Sequence, residues 1–335
     1  MSDVATPGSL SRMRVLQINN EKTWRGGGRQ VLLSVVEQRR QGLDCHLACR
    51  TGSPLEEAAR AGGVPTIDLP ASPIAVLPAL AGCARRFDLL HCHSGRSHSL
   101  GALATMVRPI PIVVSRRVDF VPAARMEVVY EAVPGGPFLC REAARRELCA
   151  RTDLGCDQKI IGNIAALVGH KDQATLLRAA REVADRRNDV AFVIVGEGPL
   201  KEPLLKLRDD LDLTKIVHFT GYVPQAQGLL SGCDAFAMRS SMEGLGTIVL
   251  DAAHAGVPVA TTAGGGLPEA VLHERTGLVV AVGDAVGLAE AILRLVDDRA
   301  LVTRLTAAAQ TRVARDFSVP TTVRRHLAIY QGLLT

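Results

Sequence analysis

Short continuous apolar runs alternate along this chain with stretches in which apolar residues return every three or four positions. The first spacing predicts strands buried on both faces and the second predicts amphipathic helices. In the first half, "RVLQIN" (14–19), "LDCHLAC" (43–49), "PTIDL", "FDLLHCH" and "IPIVVS" read as strands. A glycine-rich turn, "RGGG" at 25–28, precedes a helix through "RQVLLSVVEQRRQG", and "SPLEEAARAGG" is a helix with Ser53 as its N-cap. After "AVPGGPF" (132–138), a linker by its Pro and Gly content, the pattern restarts. Strands are predicted at "KIIGNIAAL", "VAFVIVG", "KIVHFTG", "DAFAM", "VPVATT" and "TGLVV", with helices from about Gln173, near 199–211, at 245–255 and at 267–273. Strand-helix-strand units at this spacing imply two doubly wound α/β halves with parallel sheets. A ligand is expected at the carboxyl ends of the strands, where the halves face each other.

Composition narrows the class. A chain of 335 residues suits two domains, and at 47% hydrophobic content it has ample core. Aromatics make up only 3%, so the core must be aliphatic and stacking platforms for single-stranded nucleic acid are few. The net charge of +5 is mild and its basic residues are scattered, which argues against a nucleic-acid partner. Eight cysteines include no C-x-x-C pair and sit in apolar runs, as reduced thiols of an intracellular chain do. The polar start "MSDVATPGSLSR" lacks a signal-peptide core, and no apolar run is long enough to span a membrane. The expected location is cytoplasmic, with a peripheral contact at the inner face of the membrane left open.

Candidate chemistry centres on "SSMEGLGTIVLDAAHAG" (240–256). Glu243 looks like an exposed loop acid, and Gly244 and Gly246 let backbone approach a ligand. The free N–H groups of the helix that follows favour an anionic or oxygen-rich ligand. Asp251 lies eight positions on, close to two helical turns, and so on nearly the same face. A helix-start carboxylate and an exposed Asp would account for the pair just as well. A second glycine loop, "AGGGLPEAV" (263–271), reads either as another close approach to ligand or as an ordinary βα turn.

The order of these blocks, with "VGEGP" (195–199), "VHFTGY" (217–222) and "GVPVATTAGGGLPEAVLHERTGLVV", resembles the retaining glycosyltransferases of family 4, which have the two-Rossmann GT-B fold. The likeness runs over most of 159–335. It implies an α/β GT-B chain with two Rossmann-like doubly wound domains facing across a cleft: an acceptor domain at 1–137, a nucleotide-sugar donor domain at 138–317, and a last helix at 318–335 that packs back on the first domain. By that resemblance Glu243 contacts donor-sugar hydroxyls and the backbone of Gly244, Leu245, Gly246 and Thr247 holds sugar or diphosphate. Asp251 takes the ribose hydroxyls, and Gly196 and Gly221 border the donor. Lys171, in "ALVGHKDQATLLRAA", neutralises the leaving diphosphate, where a cation stabilises developing charge. In the first half, Gly26, Gly27 and Gly28 resemble the family's glycine loop. His93, rather than His91 within the strand, resembles its histidine near the acceptor, and reads equally well as a satisfied interdomain side chain. Arg96, Arg116 and Arg117 are weaker candidates for an anionic acceptor.

The resemblance implies transfer of a sugar from a nucleotide-diphosphate sugar to the hydroxyl of a glycan or lipid-linked acceptor, in cell-envelope or lipopolysaccharide biosynthesis. No Asp-x-Asp pair stands at a strand end, so metal-independent transfer without a cofactor is expected. Three departures stand out. Asp251 replaces a Glu. Ala166 replaces an Arg five positions before the Lys, for which His170 or Arg239 is the nearest substitute. The first domain is also short, with an expected segment missing at Phe120–Val121. These departures favour a non-catalytic nucleotide-sugar binding module as one rival; a GT-B sugar-nucleotide epimerase is another.

Overall fold

The computed structural model describes residues 13–23, 26–106, 109–115, 127–152, 154–155 and 157–334. It divides into two units, Met1–Ala132 with Val319–Thr335, and Val133–Ser318. Arg116, Arg117 and the join at Phe120–Val121 lie outside the described residues, so the structure gives no account of them.

The first unit runs β1 (Arg14–Asn19), α1 (Gly26–Arg40), β2 (Asp44–Arg50), α2 (Pro54–Ala61), β3 (Thr66–Leu69), α3 (Pro73–Ala84), β4 (Leu89–Cys92), α4 (Gly95–Ala104) and β5 (Ile112–Val114). Its parallel sheet has the order β3-β2-β1-β4-β5. The chain therefore winds one way from β1 through β3 and then returns to the other side of β1. The carboxyl ends of β1 and β4 flank that reversal, which is where open α/β sheets bind ligands.

Alternation along each strand sends successive side chains to opposite faces. Val15, Cys45, Leu47 and Leu89 pack with Val31 and Val35 of α1 on one face, and Leu16, Ile18, Ala48, Leu90 and Cys92 pack with Val76 and Leu80 of α3 on the other. The chain's last helix, α12 (Val319–Leu334), joins the first of these faces through Val323, Leu327 and Tyr330. Ser53 does cap α2, accepting from the Glu56 amide. The glycines at 26–28 differ from expectation. They form the first turn of α1 instead of a turn before it, because a helix start leaves its N–H groups unbonded whatever residues supply them.

The second unit runs α5 (Arg141–Thr152), β6 (Lys159–Ile164), a 3-10 turn (Gly169–Lys171), α6 (Gln173–Ala184), β7 (Val190–Val195), α7 (Lys201–Asp210), β8 (Val217–Gly221), β9 (Ala235–Met238), α8 (Thr247–His254), β10 (Val259–Thr262), α9 (Leu267–Ala270), β11 (Leu278–Val280), α10 (Ala285–Asp297) and α11 (Arg299–Asp316). A 3-10 stretch, Ala226–Gly232, leads into β9. The six parallel strands have the order β11-β10-β9-β6-β7-β8. Here the winding reverses between β6 and β9, which pair through Ile161–Ala235 and Gly162–Phe236. Ile161, Ala235 and Ala237 face a core completed by Leu176, Leu177 and Ala180 of α6 and Leu288 and Ile292 of α10. Strands of this kind are apolar throughout because both faces are covered. Among the described residues, no helix is long and apolar enough to cross a membrane.

Candidate active site

The loops that leave β6 and β9 meet at the reversal point of the second sheet. The β6 loop ends in the 3-10 turn that carries Lys171, and the β9 loop carries Glu243. Lys171 Nζ donates to Glu243 Oε2, forming an ion pair in which each side chain is 16% exposed. Glu243 is thus largely enclosed, and its partner comes from the loop that leaves the neighbouring strand.

Both loops are held by hydroxyls at the ends of β9 and β10. Ser240 Oγ and the Ser241 amide donate to the His170 carbonyl at 2.7 and 2.9 Å, which fixes the turn bearing Lys171. Thr262 Oγ1 accepts from the Ser240 amide and donates to the Ser240 carbonyl, both at 3.0 Å. Asp172 then caps α6 from a left-handed conformation, accepting from the Thr175 amide and hydroxyl. Sequence reasoning missed Ser240, Ser241 and Thr262. Their signal was present as polar residues at the carboxyl ends of otherwise apolar strands.

The glycines brace these loops from behind. A Cβ on Gly264 would stand 1.8 Å from the Ser240 carbonyl oxygen, and one on Gly266 would stand 1.8 Å from that of Gly244. The Gly266 amide donates to the Glu243 carbonyl at 2.9 Å. The close approach at 264–266 is therefore made to the backbone of the acid's own loop. Gly196 does the same for the other loop, where a Cβ would lie 1.9 Å from the Ala165 carbonyl oxygen. Gly221 lies against the Glu197 carboxylate and its carbonyl accepts from the Gly196 amide.

Gly244 and Leu245 lie in the loop, Gly246 ends it in a left-handed conformation, and Thr247 opens α8. The interval from Glu243 to Asp251 is consequently not two turns of one helix. Its first four residues, 243–246, precede α8, and Asp251 is only the fifth residue within it. Nor is Asp251 an exposed acid; it is 1% exposed.

Arg239, offered from sequence as a substitute for a cation at Ala166, is turned inward and wholly buried. None of its three side-chain nitrogens makes a hydrogen bond. Burial pulls its pKa down to about 9, against a smaller opposing pull from Asp172. Its side chain is enclosed by protein, whereas His170, beside Lys171, is exposed.

In the first unit, His93 directly follows β4 at the reversal point and is buried, with its Nε2 against Gln17 Oε1 at 2.5 Å. Arg96 is exposed in the first turn of α4, which Ser94 and Ser97 cap reciprocally. Gly26, Gly27 and Gly28 open α1, beyond the carboxyl end of β1.

Known proteins share this plan. The family described as glycosyl transferases group 1 matches residues 145–312, half of the chain, and the glycosyl transferase 4-like domain matches residues 25–154. The lipopolysaccharide core biosynthesis glycosyltransferase LpsD of Rhizobium meliloti is 39% identical over 171 residues, covering 50% of this chain and 49% of that protein. A GDP-mannose-dependent alpha-(1-6)-phosphatidylinositol monomannoside mannosyltransferase of Mycobacterium tuberculosis is 38% identical over 192 residues, covering 54% and 49%. The chain thus spans about half the length of these curated relatives. The crystal structure of Anabaena HepE in complex with UDP and glucose matches 96% of this chain and 100% of its own with a TM-score of 0.83, at 18% identity, a likeness of fold. Both relatives carry glycosyltransferase names. With two parallel-sheet α/β units of GT-B type and the family match over residues 145–312, the chain belongs to the glycosyl transferases group 1 family.

Proposed function

We propose that the protein moves a sugar from a nucleotide-diphosphate sugar to an acceptor hydroxyl with retention of anomeric configuration. One observation carries the reading: an ammonium and a carboxylate, Lys171 and Glu243, are paired between the loops that leave the two strands flanking the reversal of the second sheet. Such a pair offers a donor both things it needs. The leaving diphosphate takes the ammonium, and the sugar hydroxyls take the carboxylate.

The segment 138–317 would hold the donor. Asp251 would bind the ribose hydroxyls, and the amides of Gly244–Thr247, with Gly196 and Gly221 behind them, would line the sugar and diphosphate. The segment 1–137 would take the acceptor through His93, Arg96, Arg116 and Arg117, with Gly26, Gly27 and Gly28 approaching the diphosphate. In the reaction, the acceptor oxygen forms a bond to the anomeric carbon from the face the phosphate leaves. The bond from that carbon to the phosphate oxygen breaks, and the acceptor's proton passes to the departing phosphate. Lys171 offsets the charge that develops there, and the reading requires neither a divalent ion nor a cofactor. Relatives named for lipopolysaccharide core biosynthesis and for phosphatidylinositol monomannoside mannosyl transfer support a cell-envelope glycan or lipid-linked acceptor. Such an acceptor would be met at the inner face of the membrane.

The test is a thermal-shift panel of UDP-, GDP-, ADP- and CMP-sugars. A true donor binds only the native state and raises Tm with concentration. One series should do so, and it should lose the effect in Lys171→Ala. A flat response to all four would remove the donor-site reading. A donor that binds without slow hydrolysis or transfer would leave the binding-module alternative in its place.

A further inference from the structure

The face of the first sheet that carries α1 and α12 contains a chain of buried polar side chains. Strand alternation explains their placement. Gln17 shares the face of Val15, and His91 that of Leu89, so both point toward Tyr330 of α12. Gln17 Nε2 lies 3.0 Å from the Tyr330 hydroxyl, though 313 positions separate them in sequence.

Burial pushes the Cys45 thiol up to about 12, so it keeps its hydrogen at neutral pH and donates it to Gln38 Oε1 at 3.3 Å. Gln38 Nε2 donates to Ser34 Oγ at 3.1 Å and to the Tyr330 oxygen at 3.2 Å. Gln38 Oε1 also accepts from Gln17 Nε2 at 2.8 Å, which orients Gln17 in turn. The nitrogen of Gln17 gives its second hydrogen to Tyr330, and its oxygen faces His93 Nε2. His93 must then carry a hydrogen on Nε2. The Tyr330 oxygen has accepted twice, so its own hydrogen goes to its remaining neighbour, His91 Nδ1, at 2.6 Å. His91 is left with its hydrogen on Nε2, donated to Ser115 Oγ at 2.7 Å. The two imidazoles lie side by side, with 4.2 Å between ring centroids.

We infer that Tyr330 is a positioning residue for the transfer reaction: together with Gln38 it fixes the Gln17 amide, which holds the His93 ring in one orientation with its hydrogen on Nε2. The inference rests on the reading of His93 as an acceptor-side residue. It makes the terminal helix part of the apparatus that orients the acceptor, in addition to its packing role. Small misplacements of a reacting group are costly in rate.

Two readouts test it together. Long-range 1H–15N spectra of the imidazole rings report the tautomer, with His91→Gln and His93→Gln assigning the signals. Wild type should show both rings protonated on Nε2. Tyr330→Phe keeps ring and volume, and Gln17→Met cuts the link to His93 while sparing the bond from Tyr330 to His91. Each should move His93 away from a single tautomer. Each should also lower kcat about tenfold or more, with donor KM within about twofold, in release of UDP from UDP-glucose or of GDP from GDP-mannose. A wild-type His93 protonated on Nδ1, or a His93 signal unmoved by both variants, overturns the relay and leaves the reading of His93 standing if His93→Gln is inactive. A moved ring with wild-type turnover also overturns the proposal. Full turnover in His93→Gln would show the reading of His93 itself to be wrong, and the proposal would fall with it.

Discussion

Lys171 and Glu243 stand 72 positions apart in the chain and form an ion pair at the reversal point of the second sheet. Each satisfies the other while both are largely withdrawn from water. A donor would have to exchange this contact for two others, phosphate oxygen on the ammonium and sugar hydroxyl on the carboxylate. Lys171→Ala is expected to lower kcat by about 10²–10³-fold, the usual cost of removing one group that meets developing charge. The same change strands the Glu243 carboxylate, at a stability cost of about 1–3 kcal/mol. Turnover and urea melts of the variant measure the two effects separately. Near-normal kcat with lowered stability would reduce the pair to a structural role.

The glycines of the second loop carry a different expectation. A methyl group on Gly266 would collide with the Gly244 carbonyl oxygen at 1.8 Å, and backbone on both sides leaves nothing flexible to move. Gly266→Ala should displace the loop that carries Glu243, destabilise the fold by about 1–3 kcal/mol and weaken donor binding. The control is Gly82→Ala, on the exposed side of α3 with nothing within 4 Å of the added carbon. It should instead stabilise by about 0.4–1 kcal/mol, because alanine is the better helix former and restricts the unfolded chain. Paired chemical melts decide it, and equal behaviour of the two variants would contradict the bracing role of 264–266.

The strands were legible because a sheet covered on both faces writes itself as continuous apolar runs, and "KIIGNI" or "VAFVIV" leave little room for another reading. The motif pair of Lys171 and Glu243 was legible through its family likeness; that the two side chains touch was not, since contact across 72 residues leaves no local mark. Gly26–Gly28 were misread as a turn because glycine propensity is local, whereas α1 is set by packing of Val31 and Val35 on the sheet. Gly264–Gly266 carried the right signal, close approach, with the wrong partner. Backbone and ligand demand the same missing Cβ, and sequence cannot separate them. Arg239 reads as an exposed cation by residue type. Only the alternation of β9 carried past its end sends it to the side of Ala235 and Ala237, under α6.

That buried arginine supports a last expectation. Its guanidinium makes no hydrogen bond, and burial holds its pKa near 9 against the 12.5 of a free guanidinium. Below pH 9 the group is charged in both the folded and unfolded chain, and the folded state bears the whole desolvation cost. Between 9 and 12.5 the folded chain releases the proton while the unfolded chain keeps it, so the unfolded state binds more protons and stability from this group rises with pH. Arg239→Met, apolar and of similar reach, removes the cost at every pH. The variant should exceed wild type by about 1–4 kcal/mol at pH 7, as apolar replacements of buried charge do. The gap should narrow steadily from pH 9 upward. Urea unfolding of both proteins from pH 7 to 10.5 measures it. A variant less stable than wild type at pH 7, or a gap that ignores pH, would mean that Arg239 is held by something stronger than Asp172.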